Sequence, residues 1–265
     1  ENFSTKQDTA WESIIGHKFI KQYIEYEILS EIPSAIADFA KHVSLFDHLN
    51  VDFCDIVLNS NNSHECLEYL HENEIFIRRC PQETNCFVWI DIFKKALSDL
   101  LTTPEKTLLA EKTIEYYLRR KMHLQAVDMS LKLGQPSLIS RTLSLCGATL
   151  LEEEKFDLLG RCARVLEKSN RQLDPTVYGI LAQYYYVAGD YAKMEYNLNM
   201  ADSMYGKENI YGIQRRLYRG LLNYEKDPTK YRKSVNNALF YLEEYNLKLP
   251  YLLPREQKIL EEIKK

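Results

Sequence analysis

Apolar residues recur at three- and four-residue steps along most of the chain, the period of an amphipathic helix. In FIKQYIEYEILSEIPSAIADFAKHVSLF, the residues Ile20, Tyr23, Ile24, Ile28 and Leu29 mark one such face. After Pro33, Ile36, Phe39, Ala40 and Val43 mark a second. A short helix is expected around Phe53–Leu58, followed by the polar loop NSNNS, with Ser63 as N-cap of HECLEYLHEN.

The period then changes. IFIRR and CFVWI are rich in β-branched and aromatic residues, and Pro-Gln-Glu-Thr-Asn separates them. That is a β-hairpin pattern, with Pro81 where no ladder donor is needed. Short helices followed by a hairpin give the element order of a winged helix.

From Pro104 onward the pattern is helix after helix, joined by short turns. PTVYGILAQYYYVAGDYAKMEYNLNMADSMYG is the clearest unit. Tyr178, Leu181, Ala182 and Tyr185 mark one helix face, Gly189-Asp190-Tyr191 the turn, and Met194, Leu198 and Ala201 the facing stripe. Small residues where two helices approach closely, with large ones between, are the physical logic of the tetratricopeptide repeat. All but one of its signature sites hold acceptable residues, the terminal proline being replaced by Gly206. Looser versions occur in TIEYYLRRKMHLQAVDMSLKLGQ, with a turn at Lys121–His123 and Ala126 at the close approach, and in a later pair broken at Asp227-Pro228. The expected fold is mostly α: a winged-helix-like module with a β-hairpin over residues 1–103, then a tetratricopeptide-like α-helical repeat array over 104–265.

A chain of 265 residues with 45% apolar content can bury one large core or two modest ones. Its net charge of −4 is that of neither a disordered chain nor a general nucleic-acid binder. From Arg215 to Lys265 the net charge is +5, against −9 for the rest, a basic tail on an acidic body. No apolar run is long enough for a membrane helix, and six irregularly spaced cysteines read as cytosolic thiols. The start at Glu1 without methionine suggests a cytoplasmic piece of a longer polypeptide.

Taken in order, YIEYEILSEIPSAIADFAKHVSLF, LEYLHENEIFI and YLRRKMHLQAVDMSLKLGQPSLISRTL resemble the middle of MalT-type, LuxR-family ATP-dependent transcriptional regulators of the STAND class. The resemblance covers roughly residues 17–205. It implies an N-terminal NTPase, a winged helix, a helical-repeat sensor arm and a C-terminal DNA-binding helix-turn-helix. Family members usually carry a Tyr-x-Tyr-His-like pattern before a Leu-Phe, where this chain reads Phe87-Val88-Trp89-Ile90-Asp91-Ile92-Phe93. No G-x-x-x-x-G-K-[ST] is present: Gly206-Lys207 has Ala201 where the first glycine belongs, so there is no phosphate cradle. ATP is therefore expected only in a further, upstream domain, and no cofactor in this fragment. LLPREQKILEEIKK, residues 252–265, reads either as the opening of a helix-turn-helix or as a capping helix, the boundary lying near Leu253.

Candidate chemistry is sparse. Cys80 and Cys86 flank the hairpin turn and are open to three readings: a metal knuckle with His64, Cys66 and His71, a disulfide, or two ordinary thiols, which we favour. Steps of two and seven put Cys66 on a different helix face from the two histidines. No nucleophile elbow, H-E-x-x-H or Cys-His pair points to catalysis. Glu152-Glu153-Glu154 are helix neighbours about 100° apart, which suits solvated faces better than acid–base work. Binding is the better prospect. Gln183 and Tyr186 fall on the side that lines the groove in tetratricopeptide-like hairpins. Tyr211, Arg215, Tyr218 and Arg219 form a later stripe, combining aromatic area with forked donors.

The expectation is a non-enzymatic sensor and coupling fragment. The array would receive a small-molecule effector or protein partner, the winged helix would contact the NTPase domain of the same chain, and DNA would be reached only through a further C-terminal helix-turn-helix. The alternative is a tetratricopeptide-type protein–protein adaptor without a DNA role. Direct DNA binding by the first module is disfavoured, because Arg78-Arg79 alone supply too little positive charge.

Overall fold

The computed structural model describes residues 19–80, 85–169, 171–205 and 209–264. It divides into two compact units, residues 1–120 and 121–265, and helices dominate both.

In the first unit, residues 19–23 are helical and run into a π-helical turn, Ile24–Ile28, closed by Leu29 N–H on Ile24 O at 2.9 Å. That five-residue bond rotates the apolar face. Ile24 is fully buried, whereas Tyr23, expected beside it, is exposed. Helix α1 (Ser34–Val43) follows Pro33 and buries Phe39, Ala40 and Val43 as its spacing requires. Strand β1 (His48–Asn50) leads directly into α2 (Val51–Leu58), whose N-cap Asn50 accepts from Phe53 N–H.

Helix α3 (Ser63–Glu72) is not capped by Ser63, as the sequence suggested. Ser63 is its first residue, and the Asp55 carboxylate of α2 accepts from its N–H at 3.1 Å. Strands β2 (Ile77–Arg79) and β3 (Cys86–Trp89) form the expected hairpin, with Ile77 opposite Trp89 and Arg79 opposite Phe87. The turn residues 81–84 lie outside the described residues. Among those described, β1 adds a third strand, antiparallel to the other side of β3, with Leu49 opposite Phe87. The pattern of three residues, His-Leu-Asn, did not announce it: so short a strand exists only because β3 offers an edge.

Phe87, Leu49, Leu67, Leu70 and Phe46 form the core beneath this sheet. Trp89 is anchored within it by its indole N–H, which donates to Phe46 O at 3.0 Å. Helices α4 (Asp91–Ser98) and α5 (Thr103–Arg119) complete the unit. The chain enters α5 through a capping box between Thr102 and Glu105. Although α5 begins at the boundary expected near residue 103, Tyr116 and Tyr117 pack on Phe53, so the first unit extends to Arg120.

The second unit is a helical array: α6 (His123–Leu133), α7 (Pro136–Glu152), α8 (Phe156–Lys168), α9 (Pro175–Val187), α10 (Tyr191–Met204), α11 (Ile210–Asn223) and α12 (Pro228–Glu244). Neighbours pair as hairpins, with Gly189 at φ 76° turning α9 into α10 and Asp190 capping the latter. Ala126, Ala182 and Ala201 are fully buried, as their close-approach spacing requires. Helices α7, α9 and α11 lie side by side. A Cβ on Gly147 would meet Ile180 at 2.5 Å, and one on Gly179 would meet Tyr211 at 2.3 Å. The signature position at Gly206 lies outside the described residues.

Past α12 the chain turns at Asn246 and runs without regular structure through residues 247–253 before α13 (Pro254–Lys264). Helix α13 buries Ile259, Leu260 and Ile263. Among the described residues no helix is long and apolar enough to cross a membrane.

Candidate functional site

Helices α9 and α11 present the polar side chains singled out by the sequence, and a segment of the same chain covers them. Leu249-Pro250 and Leu253-Pro254 bracket this segment, and each proline disfavours helix for the residue before it. Residues 249–253 accordingly have no regular structure, and the Leu253 carbonyl accepts from Gln257 N–H at 3.0 Å where α13 begins.

Three of the six candidate residues read that backbone. Gln183 accepts from Tyr251 N–H through Oε1 at 3.0 Å. Tyr218 donates its O–H to Tyr251 O at 2.9 Å. The Tyr186 oxygen accepts from Leu253 N–H at 3.3 Å. Both tyrosines are fully buried, with their rings 4.5 Å apart. Burial raises both phenols above their usual pKa, and for Tyr186 a hydrogen bond with the Glu256 carboxylate adds to this. Both stay protonated, so Tyr218 remains a donor at any physiological pH.

The segment's side chains find partners the sequence reading missed. The Tyr251 ring stands edge-on to Phe156, centroids 5.5 Å apart, and its O–H donates to Glu154 at 3.1 Å. Lys248 pairs with Glu152 at 3.1 Å. Glu152 and Glu154, exposed as the sequence suggested, thus border this segment. Pro250 and Leu252 are buried. The Glu256 residue just beyond is 2% exposed, and one of its carboxylate oxygens has no hydrogen-bond partner among the described residues.

The other three candidates are placed differently. Tyr211 packs over Gly179. Arg215 pairs with Asp202 at 2.8 Å and also bonds Asn199, while Arg219 pairs with Glu195. These arginines tie α11 to α10, and their forks are engaged by carboxylates within the unit. The stripe therefore splits into buried rings on one side and internal ion pairs on the other.

A second concavity, of about 640 Å³, lies between α8, α9 and α10 and is lined by Glu167, Tyr178, Tyr185, Lys193 and Tyr196 among others. Its polar centre is internally matched: Tyr185 donates to Glu167, and Lys193 pairs with Glu167 at 2.7 Å. At the hairpin, Cys80 N–H donates to Cys86 O at 2.8 Å, and the two sulfurs are not joined. No group of three or more metal-ligating side chains is gathered among the described residues.

The family model of the MalT winged helix domain matches residues 25–109, from the π-helical turn into α5. No curated protein and no solved structure matches the chain. The first unit thus carries a MalT-like winged helix, with three short strands where the sequence promised two.

Proposed function

We propose that this chain is the non-enzymatic sensor and coupling part of a bacterial MalT-like, LuxR-family transcriptional regulator of the STAND class. The observation that carries it is the MalT-type winged helix at residues 25–109, followed in the same polypeptide by an array that holds a non-helical segment through side chains. The winged helix contacts an NTPase domain of the same polypeptide, where ATP is held. The tetratricopeptide-like array receives a small molecule or a protein, and its preference for one conformation biases the NTPase between closed and open states. DNA is reached through a helix-turn-helix elsewhere in that polypeptide.

The test uses the complete polypeptide in a transcription reporter assay, comparing wild type with Gln183→Ala and Tyr218→Phe. A changed response to effector, with unchanged protein level, is expected. Loss of all dependence on ATP in the wild type would overturn the assignment. The second reading, a tetratricopeptide-type adaptor, draws support from the recognition of peptide backbone by Gln183, Tyr186 and Tyr218. An adaptor would bind its partner equally well with or without nucleotide and would need no DNA.

A further inference from the structure

We propose that the surface formed by α9, α11 and the turn from α7 into α8 is a site for a non-helical peptide of a partner protein, occupied in this chain by its own residues 248–253. The inference rests on the reading of the array as the part that receives a signal, and it names the class of that signal.

Backbone recognition is the central observation. Gln183 and Tyr218 bond the N–H and C=O of one residue, Tyr251, as a neighbouring strand would, and Tyr186 bonds the N–H two residues on. Side chains that satisfy peptide groups in this way accept any non-helical segment, whatever its sequence. Selectivity comes from the flanking contacts. An aromatic residue meets Phe156 and Glu154, an apolar one follows it into the buried position of Leu252, and a basic residue three positions earlier meets Glu152. The partner segment this surface fits is basic-x-x-aromatic-apolar, with a proline ahead of the aromatic residue keeping it out of helix.

The closed arrangement also carries a cost. Glu256, at the start of α13, is buried with one carboxylate oxygen unmatched. That oxygen would regain water if the strap lifted. Displacement of residues 248–253 therefore has a compensating term, while α13 keeps its own hold on the array through buried Ile259, Leu260 and Ile263 and through Arg232, which donates to Ile263 O at 3.2 Å.

The experiment uses the 265-residue chain and a fluorescent peptide of its own strap sequence, Leu-Lys-Leu-Pro-Tyr-Leu-Leu-Pro, as probe. In the wild type the tethered strap competes and binding is weak. Tyr251→Ala in the chain weakens the strap, and the probe is expected to bind at least tenfold tighter. Tyr218→Phe added to that variant is expected to remove most of the gain, and a probe with Lys replaced by Glu to bind several-fold less well. Lys248→Glu in the chain, at an exposed position, gives a smaller gain if Tyr251→Ala compromises folding. No gain in either folded variant, or a gain indifferent to Tyr218→Phe, overturns the proposal. Concentration-dependent dimers of the wild type that disappear with Tyr251→Ala also overturn it, in favour of strap exchange between two copies. Failure here with an intact effector response in the reporter assay would sink the peptide site alone. The converse result would sink the regulator reading alone.

Discussion

The Tyr218 hydroxyl donates to the carbonyl of Tyr251, 33 residues away, in a site where both tyrosine rings beneath the strap are fully buried. This bond acts together with those from Tyr251 N–H to Gln183 and from Leu253 N–H to Tyr186 to hold residues 248–253 on α9 and α11. Tyr218→Phe keeps the ring contact with Tyr186 and removes only the bond. We expect a loss of about 1 kcal/mol in the stability of the second unit. Both tryptophans, Trp11 and Trp89, fall within residues 1–120. Unfolding followed by far-UV circular dichroism should therefore shift to lower denaturant, while the tryptophan fluorescence transition should stay in place.

Trp89 gives the reverse case. Its indole N–H donates to Phe46 O, joining β3 to the turn before β1, and the residue is 5% exposed. Trp89→Phe leaves a buried carbonyl unmatched and a gap where the larger ring stood. A loss of about 2–3 kcal/mol is expected, combining the bond and the cavity. Denaturation monitored by circular dichroism should show the first unit melting earlier and the second unchanged.

Asp55 links acidity to the joint between α2 and α3. Burial works against its charge, but hydrogen bonds from Ser63 and Ser60 outweigh this and hold its carboxyl below the usual value of 3.8. A depressed carboxyl stabilises the fold above the unfolded-state pKa, near 3.9, and loses that contribution as pH falls through the folded value. Asp55→Asn keeps the shape and removes the titration. Stability measured from neutral pH downward should therefore fall less steeply below about pH 4 in the variant. An identical acid limb in both proteins would count against the assignment.

Periodicity exposed most of the helical order, because each helix buries one face and shows it in the spacing of apolar residues. It gave the wrong phase at Tyr23, where a π-helical turn inserts an extra residue, and it missed β1, whose three residues pair only in the presence of β3. Helix spacing singled out Gln183, Tyr186 and Tyr218 as lining for a ligand or partner, and in the structure they bond a segment of the same chain. That segment was not legible, because residues 248–253 have no period. The two X–Pro steps at 249–250 and 253–254 were the available signal. The ion pairs that engage Arg215 and Arg219 depend on carboxylates of α10, 13 and 24 residues distant, which no local pattern records.

The cysteines allow a last prediction, on the hairpin whose sulfurs first suggested chemistry. Five of the six are buried, and Cys80 is half-buried at the end of β2. Burial pushes the thiols of Cys54, Cys146 and Cys162 up to about 12, reinforced at Cys54 by the nearby Asp55 charge. The thiolate is the reacting species, so at pH 8 only about one part in ten thousand of each is competent, before restricted access is counted. Titration of the native chain with a disulfide reagent should show one fast equivalent, abolished by Cys80→Ser, and the rest only on unfolding. Two or more fast equivalents would mean that a second thiol, Cys86 of the same hairpin being the nearest in sequence, is open to solvent.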